Sequence, residues 1–423
     1  MTAVGTPVPA VEGRSLSRSS FLMVIGKAFQ MGCGFVFWIV AARTADVAQV
    51  GTVAAAVAAV MLVTQLGVLG VGSSMIVSLG RNEPLGRVLD TGFTVMTVTS
   101  LVAAAGFVAV TSLGGGEVAA TQTSAPFVAA FAVAAVCGSA TICLDQAGLA
   151  LGHPSGTSVR YLISGVVMVA FLQLAASAGH HQLGATSVFA VWTLSSVAIC
   201  VTGAWQLHRW ARYRYRGRVH LGTLRRHLAV GVPNHLLTLT ERLPALVVPI
   251  LVAHLVSPEA TAYWYPAWML VWVAYTIPIQ VGLVQFSEGV RRPAELRRTL
   301  RSGFTSALAL GAAAAAVLAV LAHPLLRMVG ADYADHSATA LRVLTLGIVP
   351  FAVWQSYNAR CRAAGLVAEG IVAGLALAVL ICVATTWAAL HGGSTAIAVA
   401  WVTSSSVGAL WAGGRLLRPA ATS

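Results

Sequence analysis

Charge is scarce in this sequence, and negative charge scarcest. Its 423 residues include 13 Asp and Glu against 26 Lys and Arg, so that only 9% of the chain is charged. A soluble globular protein holds about a quarter, and a soluble domain of this length cannot cover its surface with so few charges. That excludes a cytosolic enzyme, and with so high an apolar content it excludes a disordered chain. Cysteine is sparse too. The six (Cys33, Cys137, Cys143, Cys200, Cys361 and Cys382) all lie in or beside apolar runs, with no CxxC pair and no Cys/His cluster. This excludes a disulfide scaffold and a metal centre, and leaves them as small apolar core residues. Lysine is almost missing, Lys27 being the only one. Long hydrophilic stretches are missing as well, the largest being 207–227. Without a sizeable outer loop or a catalytic cluster, a glycan-polymerising membrane enzyme has nowhere to build its site. No catalytic residue and no cofactor is expected.

What the sequence has instead is apolar length. Apolar residues make up 57% of it, and its mean hydropathy is +0.81. About 20 mostly apolar residues cross a bilayer. Twelve such runs occur, at roughly 20–41, 50–79, 89–113, 124–151, 157–178, 185–206, 228–254, 261–285, 302–323, 337–358, 365–390 and 394–413. The first is too long for a signal-peptide core and is followed by many like it, so it reads as a transmembrane helix. The pattern predicts an all-α integral membrane protein of about 12 transmembrane helices in two six-helix bundles. Its parts are a tail 1–19, a bundle 20–206, a basic loop 207–227, a bundle 228–414 and a tail 415–423.

A net charge of +13 in a soluble protein would point to nucleic acid. Placed on the spans it points elsewhere. With an inside amino terminus, 21 cations fall in inner segments, Arg43 and Arg327 fall outside, and Lys27, Arg242 and Arg342 fall within spans. This is the bias that orients multi-pass proteins. It predicts the cell's inner (cytoplasmic) membrane, with both termini cytoplasmic. The loop His208–Arg218 interleaves arginines with Trp210, Tyr213 and Tyr215. Between two bundles that reads as a basic loop on an anionic leaflet, its aromatics at headgroup level. No nucleic-acid partner is expected.

The two halves echo each other. Ala45–Gly51, after the first span, lines up with Ser257–Tyr263, after the seventh, at an offset of about 212 residues. Each is a short acidic outer turn leading into a long span that ends at arginine. With an even number of helices per half, the repeats are parallel and their pseudo-twofold axis runs along the membrane normal. These segments resemble the polysaccharide flippase branch of the multidrug/oligosaccharidyl-lipid/polysaccharide exporter superfamily. The likeness rests on the turn Ala45–Gly51 and the small-residue patch Gly67–Ser74 in one half. In the other it rests on Gly231-Val232-Pro233, the turn Leu255–Ala260 and Tyr263. It implies a transporter working by alternating access between two bundles. The implied substrate is a lipid-linked oligosaccharide or polysaccharide precursor, that is, an anionic polyprenyl-phosphate-linked glycan. Glycan-assembly enzymes are the implied functional partners.

Ionisable groups within a span are expensive and mark candidate sites. Lys27 and Gln30 sit one turn apart in the first span, where Lys27 is either a cavity-facing cation or a snorkelling anchor. Asn234, Thr238 and Glu241 follow i, i+4, i+7 in the seventh span and share a face, with Arg242 beside them. Pro233, Pro244 and Pro249 argue against a continuous straight helix there. Asp145 in the fourth span and Glu241 are coupling candidates. Lys27, Gln30, Asn234, Thr238, Arg242 and Arg342 are substrate-binding candidates, the cations for phosphate. Trp268, Trp272 and Tyr275, at i, i+4, i+7, offer a face for stacking on sugar, or else simply pack. The alternative function is a cation-coupled multidrug antiporter of the same superfamily, which would need a membrane-embedded carboxylate free to act.

Overall fold

Inside a bilayer a helix satisfies every backbone N–H and C=O within one segment. The computed structural model is accordingly helical along nearly all of its described length. It describes residue 29 and residues 31–417, apart from 81–82, 152, 154, 178–182 and 292. The first half contains α1 (Met31–Thr44), α2 (Val47–Val68), α3 (Val71–Gly80), α4 (Leu85–Ser112), α5 (Glu117–Gln122), α6 (Ala125–Ala150), α7 (Ser155–Ser177) and α8 (Ala185–Ala211). The second contains α9 (Leu221–Leu255), α10 (Pro258–Arg291), α11 (Leu296–Val329), α12 (Ala331–Leu346), α13 (Ile348–Ala363) and α14 (Val367–Leu417).

Among the described residues nine helices are long and apolar enough to cross a membrane, and α12 with α13, bent by 44° at their junction, makes a tenth. One of the nine, α14, is two helices joined across non-helical Gly392 and Gly393. The apolar α1 is shorter because the residues before it lie outside the described set. These segments together account for the twelve expected spans.

The repeat is visible in the packing. In the first half α2 packs against α4, α6 and α8, while in the second α10 packs against α9, α11, α12 and α13; α2 and α10 also pack on each other. The first-half core gathers Phe37, Phe127, Phe131 and Phe189, and extends across to Tyr265 and Tyr333. The second-half core is built on Trp264, Trp268, Tyr275 and Trp401. The α10 aromatics are therefore packing residues. Trp268 packs tilted against Trp401 at 4.4 Å and Tyr275 stacks on Phe351 at 4.8 Å, and both side chains are buried. An α10 surrounded by helices has to be apolar on most of its circumference.

The seventh span also differs from expectation. It runs as one 35-residue helix through Pro233, Pro244 and Pro249. Each proline removes one backbone donor, and packing by neighbouring helices holds the segment helical regardless.

Candidate functional site at the interface of the halves

One stripe of α9 faces the first half. His227, Gly231 and His235 recur every four residues, so they share a helix face. His227 Nδ1 lies 2.6 Å from Ser74 Oγ of α3, in a fully buried contact. A Cβ on Gly231 would lie 2.4 Å from the Gly70 carbonyl oxygen, so only glycine lets the two backbones meet. Gly70 sits in the left-handed region (φ 73°), as does Leu69 (φ 44°), and this is the break between α2 and α3. The patch Gly67–Ser74 and the segment Gly231–Pro233, each singled out in its own half, thus meet around Gly70 and Gly231. His235 Nε2 lies 2.6 Å from the Gln65 carbonyl oxygen on α2.

A second contact lies at the other end of α2. There the Cβ position of Gly51 is filled by the Pro258 carbonyl oxygen of α10. The repeat-related turns 45–51 and 257–263 are the segments that touch. Trp38 packs edge-on to Tyr265 at 5.0 Å, and Arg43 Nη2 donates to the Met328 carbonyl at 3.1 Å. Met61, one turn from Gln65 on the same face of α2, is 42% exposed although most of that helix is buried.

Arg242 continues this face of α9. It lies seven residues beyond His235 and so on the same face of α9, and about 16 Å along the helix from Gly231 at 1.5 Å per residue. It is within electrostatic reach of Glu241, Arg362 and His235. Among the described residues it makes no hydrogen bond or ion pair. Glu241 faces the other way. Arg362 of α13 donates from Nη2 to Glu241 Oε1 at 2.7 Å and to Thr238 Oγ1 at 3.3 Å, and the paired side chains are 8% and 9% exposed. Thr238 and Glu241 do share a face, and Arg362 spans it. The local balance is two guanidinium groups to one carboxylate.

Asp145 is held in the same manner. Arg160 of α7, 1% exposed, donates to Asp145 Oδ1 at 2.6 Å and to Gln206 Oε1 of α8 at 2.5 Å, while Tyr161 donates to Asp145 Oδ2 at 2.6 Å. The second half repeats this chemistry with its parts on other helices. Glu369 accepts from Arg415 at 2.5 and 2.9 Å and from Tyr357 at 3.0 Å, and Arg360 donates to the Arg415 carbonyl. Arg160, Arg360 and Arg362 had been counted among the inner-loop cations. Each is bonded inside the bundle, Arg160 and Arg362 to acids and Arg360 to the Arg415 carbonyl.

Of the other sequence candidates, Lys27 and Gln30 lie outside the described residues, as does the side chain of Asn234. Arg342 is exposed on α12, its Nε donating to the Ala319 carbonyl at 3.3 Å, and is not brought to the Arg242 group. Sequence reading missed Arg362. The available signal was Glu241 itself, since a mid-span carboxylate requires a cationic partner.

No family model and no curated protein sequence matches the chain. Solved structures do match in fold: membrane transporters built from two parallel helical repeats. An inward-facing multidrug resistance MATE family transporter of the MOP superfamily superposes with a TM-score of 0.70 at 15% identity, over 92% of this chain and 94% of that one. The lipid II flippase MurJ, in an inward closed conformation, gives 0.70 at 13% identity over 93% and 87%. An outward-facing MATE transporter gives 0.65 at 14% over 95% of both chains. The chain thus has the fold that these multidrug transporters and the lipid II flippase share.

Proposed function

We propose that the chain is a flippase for lipid-linked glycan precursors, with Arg242 as a contact for the substrate's (pyro)phosphate between the two halves. The observation that carries this reading is the state of the charges. Glu241 and Asp145 are each engaged by an arginine inside the bundle, while Arg242, on the α9 face that also carries His235, has no such partner among the described residues. A cationic drug would need a free carboxylate there; an anionic headgroup needs the arginine, which binds phosphate oxygens in a bidentate fork. The lipid tail stays in the bilayer while the halves alternate around the headgroup. The fold is common to drug and lipid transporters, so the substrate class rests on these charges and on the sequence resemblance.

Turnover of a fluorescent polyprenyl-pyrophosphate glycan in reconstituted vesicles tests it. A hydrogen bond to a charged group contributes about 1.5–3 kcal/mol, so Arg242→Ala should slow flipping by about ten- to a hundredfold with the protein still folded. Wild-type flipping in the Arg242→Ala protein would remove Arg242 from the site. Efflux of a cationic dye that is lost in Glu241→Gln would establish the antiporter instead.

A further inference from the structure

The segment joining the halves is fastened down. After α8 ends at Ala211, residues 212–220 run without helix to Leu221, and they are bonded to the start of α4. Tyr213 donates to Asp90 Oδ1 at 2.7 Å, and the Arg216 backbone N–H donates to the same oxygen at 3.1 Å. The Tyr215 hydroxyl lies 2.9 Å from Thr94 Oγ1. The His220 N–H donates to Thr91 Oγ1 at 3.0 Å, and Phe93 stacks on Tyr213. Burial, and then the Asp90 carboxylate beside it, hold the Tyr213 phenol protonated well above the ordinary tyrosine range. The tyrosines are thus tied to α4.

The alternate residues carry the charge. Arg212, Arg214, Arg216 and Arg218 are all exposed, as are Arg209 and, in the first turn of α4, Arg87. The one acid the strap touches, Asp90, is buried and engaged by two strap donors. The depth of this edge is marked by Trp205, 62% exposed on α8 two turns before the strap, since an exposed tryptophan near the end of a span sits at the membrane–water interface. A pre-formed row of guanidinium groups at that level, with no free carboxylate on the strap, matches a row of lipid phosphates.

We propose that the strap 212–218 is a binding edge for anionic phospholipid headgroups of the adjoining leaflet, pre-organised by its bonds to Asp90 and Thr94. The test uses the full chain reconstituted in phosphatidylcholine bilayers containing a minor fraction of phosphatidylglycerol, with retained lipid measured by native mass spectrometry. A basic residue near an anionic surface contributes about 1 kcal/mol. Replacing Arg212, Arg214, Arg216 and Arg218 together by Gln should therefore reduce phosphatidylglycerol enrichment by at least about tenfold. Replacing Arg297, Arg298 and Arg301 of α11 by Gln should leave most of it. Asp90→Asn with Tyr213→Phe keeps every strap charge but loosens the anchorage, and should lower enrichment several-fold. Wild-type enrichment in the strap variant overturns the proposal, as does equal loss in the α11 variant, which would make the effect one of overall charge. Retention of a single-stranded oligonucleotide in preference to lipid, abolished by the same strap variant, overturns it too.

Discussion

A buried guanidinium and carboxylate stabilise each other only as a pair, and removing one partner strands the other. Arg362→Met removes the guanidinium bonded to Glu241 between α9 and α13, and should lower stability by about 3–5 kcal/mol. Thermal unfolding in detergent reads this as a fall in the midpoint. Glu241→Gln combined with Arg362→Met should recover part of the loss, because neither member of the pair is then left charged without the other. This scale was the least legible in the sequence. Counting cations by position along the chain sorts Arg160 and Arg362 with the loop arginines, since a span boundary cannot show which way a terminal side chain turns. Asp90 was not noticed at all. Near a span end it looks like any interfacial acid, and its role depends on a loop more than 120 residues away that the fold brings to it.

Elements were far more legible. The twelve spans emerge because apolar length is a direct consequence of bilayer thickness. The soft motifs Gly67–Ser74 and Gly231–Pro233 prove to be contact surfaces, although nothing in either shows that it meets the other. The prolines of α9 misled, because propensity weighs less than packing by neighbours. The Gly70–Gly231 contact carries a prediction for its elements. In an exposed helix interior, Gly→Ala stabilises by about 1 kcal/mol. At Gly231 the added methyl meets backbone, so α9 has to move away from α3. Gly231→Ala should therefore raise the labelling rate of a cysteine placed at Ser74 by a membrane-impermeant thiol reagent. Gly86→Ala in α4, where a Cβ meets nothing within 4 Å, should leave that rate unchanged. Equal labelling in both would mean that the contact does not hold the halves together.

At the scale of the whole molecule the halves touch at both ends of α2. Under the proposed function, alternating access requires each contact to open while the other holds. Gly51→Val crowds the Pro258 carbonyl and should open that end alone, exposing a cysteine at Tyr265 to label but leaving one at Ser74 protected. Labelling at both positions would show that the ends do not act separately. The overall architecture of two parallel bundles followed from span parity and the repeat, whereas the joint between them did not. A basic 21-residue loop reads as slack. In the folded chain, residues 213–220 are bonded to α4 of the first half, and α9 begins at the next residue. Mechanically, α9 is then a lever clamped at its first turn to the opposite half, with no free tether to absorb motion. Swinging the other end of the molecule open needs only a pivot at His220. Separating Gly70 from Gly231 needs either release of the clamp or flexure of the lever at Pro233, where a backbone hydrogen bond is already missing. The two gates therefore open against different stiffness, and the asymmetry lies in where one short segment is fastened.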